Sequence, residues 1–125
     1  MYVPDWEVWN GAGTHYIVFG VIDAISMAIA GLAACSPTAG KASFDPRWLD
    51  TTDTPVVILS DRHEDRDAFD LAARLDWRGR VCLLKYEEGE KDVNDVLVRR
   101  GPEGLRDATQ AIKRSRGGSG AGGPS

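Results

Sequence analysis

Cysteine is scarce in this 125-residue chain: only Cys35 and Cys82 occur, in separate apolar segments and without CxxC spacing. That leaves no disulfide framework and no CxxC redox or zinc motif, and it fits two buried free thiols in a reducing compartment. Long hydrophobic runs are missing too. Segment 16–35 is rich in apolar residues, yet Gly20, Asp23, Ser26 and Gly31 interrupt it, whereas a membrane span needs about 20 nearly uninterrupted apolar residues. No secretory signal is visible. Nor is there a strong charge of one sign: the formal net charge is −4, so the surface as a whole is no electrostatic trap for nucleic acid, and any phosphate contact must come from a local basic patch. The basic run Lys113-Arg114-Ser115-Arg116 is short enough to read as a solvated helix end. The expectation is a soluble, cytoplasmic protein without membrane contact.

What is present is a globular composition, 42% apolar and 27% charged, at the length of one ordinary domain with a single core. Residues 1–14, with Pro4, Asn10, Gly11 and Gly13 around Trp6 and Trp9, read as a turn-rich extension or edge segment in which the tryptophans cover one sheet edge. A domain follows over 15–114, and the Gly- and Ser-rich stretch 115–125 reads as a flexible tail.

Within the domain, Tyr16 to Phe19 is a short apolar run of the buried-strand kind. Gly20 permits a turn, and a helix follows to about Ala30, with Asp23 in its first turn and Gly31 at its end. Leu32 to Cys35 is a second strand, followed by the small-residue loop Ser36 to Lys41. Asp45-Pro46 opens a short helix, and Val56 to Ser60 is a third strand. Ala68, Phe69, Leu71, Ala72 and Leu75 recur at helical period. Arg80 to Tyr86 is a fourth strand and Glu87-Glu88-Gly89-Glu90 a charged turn. Asp92 caps a helix that Gly101-Pro102 breaks, and a last helix ends near Lys113.

Four strand–helix alternations predict an α/β fold with a four-stranded, mainly parallel sheet flanked by helices. In such sheets ligands sit outside the carboxyl ends of the strands. Gly20 to Asp23, Ser36 to Lys41, Asp61 to Asp65 and Glu87 to Asp95 all fall at those ends.

The residues at these ends carry a resemblance. Phe19-Gly20-Val21-Ile22-Asp23 resembles the Glu-Gly-x-x-Asp motif of the TOPRIM domain, with phenylalanine at the glutamate position. Asp61-Arg62-His63 is similar to its Asp-x-Asp motif, with histidine at the second aspartate, and Lys91-Asp92-Val93-Asn94-Asp95 matches a later segment of DnaG-type primases. The loop 36–44 is similar to one in phage and plasmid primase–helicases. The resemblance covers about residues 15–112 and is closest to phage and mobile-element primases.

It implies a compact Rossmann-like fold and work on DNA or RNA, with a replication protein such as a helicase as a possible partner. It implies a Mg or Mn site at Asp61, His63, Asp92 and Asn94, with Lys41, Lys85 and Lys91 toward nucleic acid and Gly20, Asp23 and Asp95 as motif positions. Phosphoryl transfer needs hard cations held by carboxylate oxygens and water, and a positioned proton donor adds about 10²–10⁴-fold. Phenylalanine supplies neither charge nor proton, and imidazole favours Zn, Cu, Fe or Ni over Mg. The reading is therefore a primase-related domain with a reduced or lost catalytic site, either standing alone or excised from a longer protein.

Other readings stay open at this point. One is an active Mg- or Mn-dependent primase or nuclease; another is a protein-interaction module using Trp6, Trp9 and Trp48. A receiver domain, with Asp61 and Lys85 in its key roles, lacks the acidic pair expected after the first strand. Asp23, Asp61 and Asp92 also suit plain structural duty as helix-terminal acids. Oligomeric state is not legible.

Overall fold

The first apolar run is strand β1, His15–Ile17, and it lies inside the sheet of the computed structural model, which describes residues 1–37, 54–62, 65–75 and 79–122. Its companions are β2 (Ala34–Cys35), β3 (Val56–Leu59) and β4 (Gly79–Cys82). The order across the sheet is β2-β1-β3-β4 and each neighbouring pair is parallel, so the expectation of a mainly parallel sheet resolves to a wholly parallel one. Among the described residues the helices are α1 (Trp6–Gly11), α2 (Val21–Ile29), α3 (Asp65–Leu75) and α4 (Val93–Gly122); the short helix expected at Asp45-Pro46 lies outside them.

Side chains alternate between the two faces of a strand, and here both faces are apolar, as a parallel sheet covered on both sides requires. Ile17, Cys35, Val56, Ile58 and Val81 point to one side and pack with Trp9 of α1 and with Ala68, Leu71 and Leu75 of α3. Tyr16, Val18, Ala34, Val57 and Leu59 point to the other and pack with Ala24 and Met27 of α2 and with Val93, Val96 and Leu105 of α4. Burial pushes the Cys35 thiol up to about 12, which leaves it inert. No helix among the described residues is long and apolar enough to cross a membrane.

The N-terminal segment departs from its turn-rich reading. The Asp5 carboxylate accepts the N–H groups of Glu7 and Val8, each at 3.1 Å, and this cap opens α1. Trp9 is buried and lies flat on His15, with ring centroids 3.6 Å apart and planes 6° from parallel. Tyr2 and Ser36 exchange backbone hydrogen bonds of 2.8 and 3.0 Å in an antiparallel bridge, which occupies the otherwise open edge of β2. Trp9 is thus core and not an exposed docking residue; Trp6 is exposed, and Trp48 lies outside the described residues.

Helix α4 is two helices joined at Gly101, whose φ of 77° and ψ of 175° are not helical. Pro102 follows it, and its missing N–H suits the first position of the second piece. The helical backbone continues to Gly122, beyond the end expected near Lys113; each glycine there costs about 1 kcal/mol relative to alanine, so this end is the weakest part of the helix. Nothing crowds a Cβ at Gly101, so Gly101→Ala isolates the backbone term. A residue other than glycine in this region costs about 1–3 kcal/mol, and urea denaturation of Gly101→Ala is expected to show a loss of that size.

Candidate functional site

The chain places β2 on one side of β1 and then crosses back to place β3 on the other. At such a reversal the loops leaving two adjacent strands diverge, and a crevice opens at their carboxyl ends. The loop from β1 into α2 and the loop from β3 into α3 flank it. The segment between β4 and α4 lies beside them.

Gly20 precedes α2 in an extended conformation and offers no side-chain cap. A Cβ there would sit 3.3 Å from Oδ2 of Asp23, so glycine leaves room for that carboxylate. Asp23, in the first turn of α2, is only 5% exposed. Its Oδ1 accepts the N–H of Asn94, 3.0 Å away, and so caps the start of α4 from another element. Burial raises its carboxyl from 3.8 to about 6; the Asn94 N–H works against this rise, and the negative charges of Asp92 and Asp95 add to it.

The start of α4 is held by further carboxylates. Asp92 Oδ1 accepts the N–H of Asp95 at 2.9 Å, and Asp95 Oδ2 accepts that of Lys91 at 2.8 Å. Together with Asp23, they satisfy three donors around a helix N-terminus, where the dipole also favours negative charge. The Asn94 side chain is tied to Ser26 of α2, with Oδ1 and Oγ 2.9 Å apart.

Asp61 joins this region through its neighbour. The Arg62 N–H donates to the Lys91 carbonyl at 2.8 Å, so the residues following Asp61 and preceding Asp92 are bonded backbone to backbone. Arg62 Nη1 also reaches the carbonyls of Glu87 and Glu90, at 3.4 and 3.3 Å. Beneath them Glu90 is fully buried and paired with Arg100, Nε to Oε2 at 2.9 Å and Nη2 to Oε1 at 2.5 Å. Arg100 also donates to the Lys85 carbonyl at 2.9 Å, and the Glu87 N–H to Glu90 Oε1 at 2.7 Å. Tyr86 Oη donates to the Ser60 carbonyl at 2.7 Å, and this pull of the chain toward the end of β3 accompanies the end of β4 at Cys82, short of the expected Tyr86. A cleft of about 210 Å³ lies between Arg62, Asp65, Leu83, Leu84 and Tyr86. A larger one, about 450 Å³, is lined by Thr14, Gly31, Leu32 and Gln110; it sits at the opposite edge of the sheet and has no carboxylate or basic group in its wall.

The expected site residues therefore divide. Gly20, Asp23, Asp92, Asn94 and Asp95 form one connected arrangement, and Asp61 adjoins it. Lys85 and Lys91 are exposed on the neighbouring segment. Phe19 is half-buried and packs against the core on the α1 and α3 side. Lys41 and His63 lie outside the described residues. Among the described residues no group of three or more His, Cys, Asp or Glu is placed to hold a metal ion. The carboxylates of Asp23, Asp92 and Asp95 are each engaged by a backbone N–H.

Sequence reasoning misses Ser26, Arg62, Tyr86 and the Glu90–Arg100 pair. Glu90 stands in the charged turn read from the sequence, which is present, closed by the Glu90 N–H on the Glu87 carbonyl at 3.0 Å; its burial under Arg100 is what the sequence does not show. Only Arg62 has a visible signal, its place directly after Asp61.

No family model and no curated protein matches the sequence. Among solved structures, the chain is similar to the crystal structure of the RNA polymerase domain of Mycobacterium tuberculosis primase DnaG, with a TM-score of 0.63 and 21% identity. The fold is primase-like. The match covers 84% of this chain and 37% of that one, so this chain spans well under half the length of the primase domain it resembles. At this identity the primase-like character is one of fold, and it agrees with the α/β class and parallel sheet read from the sequence.

Proposed function

We propose that this chain is a nucleic-acid-handling domain of TOPRIM type, related to the primases of phages and mobile elements, whose metal-dependent catalysis is reduced or lost. One observation carries the reading: the Asp23 carboxylate holds the Asn94 N–H at 3.0 Å, which stitches the Gly20–Asp23 motif to the Lys91–Asp95 motif at the carboxyl edge of the sheet. The primase-like fold supports it. Phe19, at the glutamate position and packed on the core, offers no proton or charge to a reacting phosphate. Under this reading the domain acts in the cytoplasm on DNA or RNA, through Lys85, Lys91 and Lys41, alone or with a replication protein such as a helicase.

Phosphate contacts dominate nucleic-acid affinity and weaken with salt, so fluorescence anisotropy with single- and double-stranded DNA and with RNA at low salt is the fair test. The expected result is binding that the double variant Lys85→Glu, Lys91→Glu weakens about tenfold or more. The slope of log K against log salt should flatten by about 1.4 for a single strand, two contacts at about 0.7 each. Absence of binding to all three polymers at low salt overturns the proposal.

A second reading, an active Mg- or Mn-dependent primase or nuclease, draws on the Arg62–Lys91 bond that brings the Asp61 and Asp92 segments together. It requires a cation on Asp61, His63, Asp92 and Asn94. Primer-synthesis and nuclease assays with Mn²⁺ or Mg²⁺ decide: turnover abolished by Asp61→Ala replaces the first reading with this one.

A further inference from the structure

The cleft of about 210 Å³ between Arg62, Asp65, Leu83, Leu84 and Tyr86 stands outside the carboxyl ends of β3 and β4, where ligands of such sheets gather. Its wall combines two leucines and a phenol ring with one cation and one anion. Leu84 is buried and Leu83 is 37% exposed, so part of the apolar wall is open to water. The Tyr86 ring is pinned at its tip by the hydrogen bond to the Ser60 carbonyl. Arg62 and Asp65 are exposed, and among the described residues they form no ion pair with each other. Each keeps unused capacity. Both Arg62 side-chain bonds, to the Glu87 and Glu90 carbonyls, use Nη1, which leaves Nε and Nη2 as donors. Asp65 Oδ1 accepts the Ser60 hydroxyl at 2.8 Å, which leaves Oδ2 as an acceptor.

Apolar walls with a few polar groups that fix orientation are the usual form of a small-ligand site. At about 210 Å³ this one is smaller than the roughly 300–1,000 Å³ of a drug-sized pocket, and it suits a single planar ring system. Its ligand must offer acceptors to a guanidinium and, beside them, donors to a carboxylate. Guanine does both. Its O6 and N7 are the acceptors that arginine engages, and its N1–H and 2-amino group are adjacent donors for a carboxylate. Adenine turns a 6-amino donor toward the guanidinium in place of O6, and the pyrimidines lack N7. A base laid against Tyr86 and the leucines must first be unstacked, which single strands and loops allow and a duplex does not. We propose that this cleft receives one unpaired guanine of a single-stranded nucleic acid, with Arg62 on O6 and N7 and Asp65 on N1–H and the 2-amino group. The inference rests on the nucleic-acid reading and adds a base preference, which phosphate contacts from Lys85 and Lys91 cannot supply.

Single-atom changes in the base supply the test. Anisotropy at low salt compares a short thymine-only strand with strands carrying one central guanine, adenine, hypoxanthine or 7-deazaguanine. The guanine strand is expected to bind about tenfold tighter than the thymine-only strand. Hypoxanthine, which lacks the 2-amino group, and 7-deazaguanine, which lacks N7, should each lose most of that gain. Asp65→Asn keeps an oxygen for Ser60 but sets an amide donor against the donors of guanine. Leu83→Glu places a charge in the apolar wall at an exposed position. In both variants, with folding checked by circular dichroism, the ratio of guanine to thymine affinity is expected to fall to about one. Equal affinity for all strands in the unsubstituted chain overturns the cleft as a base site and leaves the nucleic-acid reading standing. A guanine preference that survives both substitutions, or adenine bound as tightly as guanine, also overturns it. Absence of binding to every strand overturns both.

Discussion

Arg100→Ala is expected to lower the free energy of unfolding by about 3–5 kcal/mol, the usual consequence of removing one partner from a buried ion pair. Glu90 is fully buried and Arg100 is 22% exposed, so without the guanidinium a covered carboxylate is left with no opposite charge beside it. The loss is large beside the roughly 5–15 kcal/mol that holds a typical domain together. The Arg100 hydrogen bonds hold the Glu90 carboxyl below its ordinary 4.5. A lowered carboxyl contributes stability above its unfolded value, and that contribution is lost as pH falls through the folded one. In Arg100→Ala the unpaired buried charge becomes a liability that protonation removes. The gap between the variant and the unsubstituted protein therefore starts to narrow above the ordinary carboxyl value of 4.5, where the variant's unpaired carboxyl takes up its proton, and narrows further below it, where the native pair loses its charge.

Glu90→Gln in the Arg100→Ala background should recover part of the loss, because a neutral amide is easier to bury than an unpaired carboxylate. Urea denaturation of the unsubstituted chain, the two single variants and the double variant, at about pH 7 and about pH 4, measures all of this. An Arg100→Ala loss under about 1 kcal/mol, or one unchanged by pH, shows that the pair does not hold the segment between β4 and α4.

The sheet was legible because a strand buried on both faces must be apolar at every position, as Val56 to Leu59 are, and few other structures ask for that. Helix α3 was legible from Ala68, Leu71 and Leu75 at helical period. The break at Gly101-Pro102 was legible because both residues are backbone punctuation. Other features lie beyond local pattern. Tryptophan, asparagine and glycine in residues 6–11 read as turn, and α1 forms because Asp5 caps it and Trp9 finds His15 to stack on. Glu90 sits among glutamates in a sequence that looks solvated, and its burial is decided by Arg100 across an intervening helical segment. The family-like motifs pointed to Asp61, His63, Asp92 and Asn94 as a cation site and to Gly20, Asp23 and Asp95 as motif positions. What they could not show is that Asp23, Asp92 and Asp95 each give an oxygen to a backbone donor around the start of one helix, with Asp23 reaching Asn94 from the far side of the sequence.

Asp23→Asn is expected to make the protein more stable at neutral pH, an unusual direction for a substitution at a buried position. The amide keeps an oxygen for the Asn94 N–H and keeps the shape that Gly20 accommodates, while removing the negative charge that burial, Asp92 and Asp95 oppose. The sign follows from the raised carboxyl. Below 3.8 the folded and unfolded chains both carry it protonated and no penalty exists. Between 3.8 and about 6 the unfolded chain ionises first, and stability falls as pH rises. Above about 6 the folded chain bears the full penalty, which for a rise of this size is about 3 kcal/mol. Thermal or urea unfolding should therefore show the two proteins nearly matched at about pH 3.5 and Asp23→Asn ahead by up to about 3 kcal/mol at about pH 7.5. A variant less stable than the unsubstituted protein at that higher pH means that the ionised carboxylate is a net stabilising cap, and the electrostatic account of this cluster is then wrong. If the gain is found, the same variant in the anisotropy assay tells what the strained acid is for. Ancestral chemistry that has been lost leaves nucleic-acid binding unchanged, whereas an acid still in use costs function as stability rises.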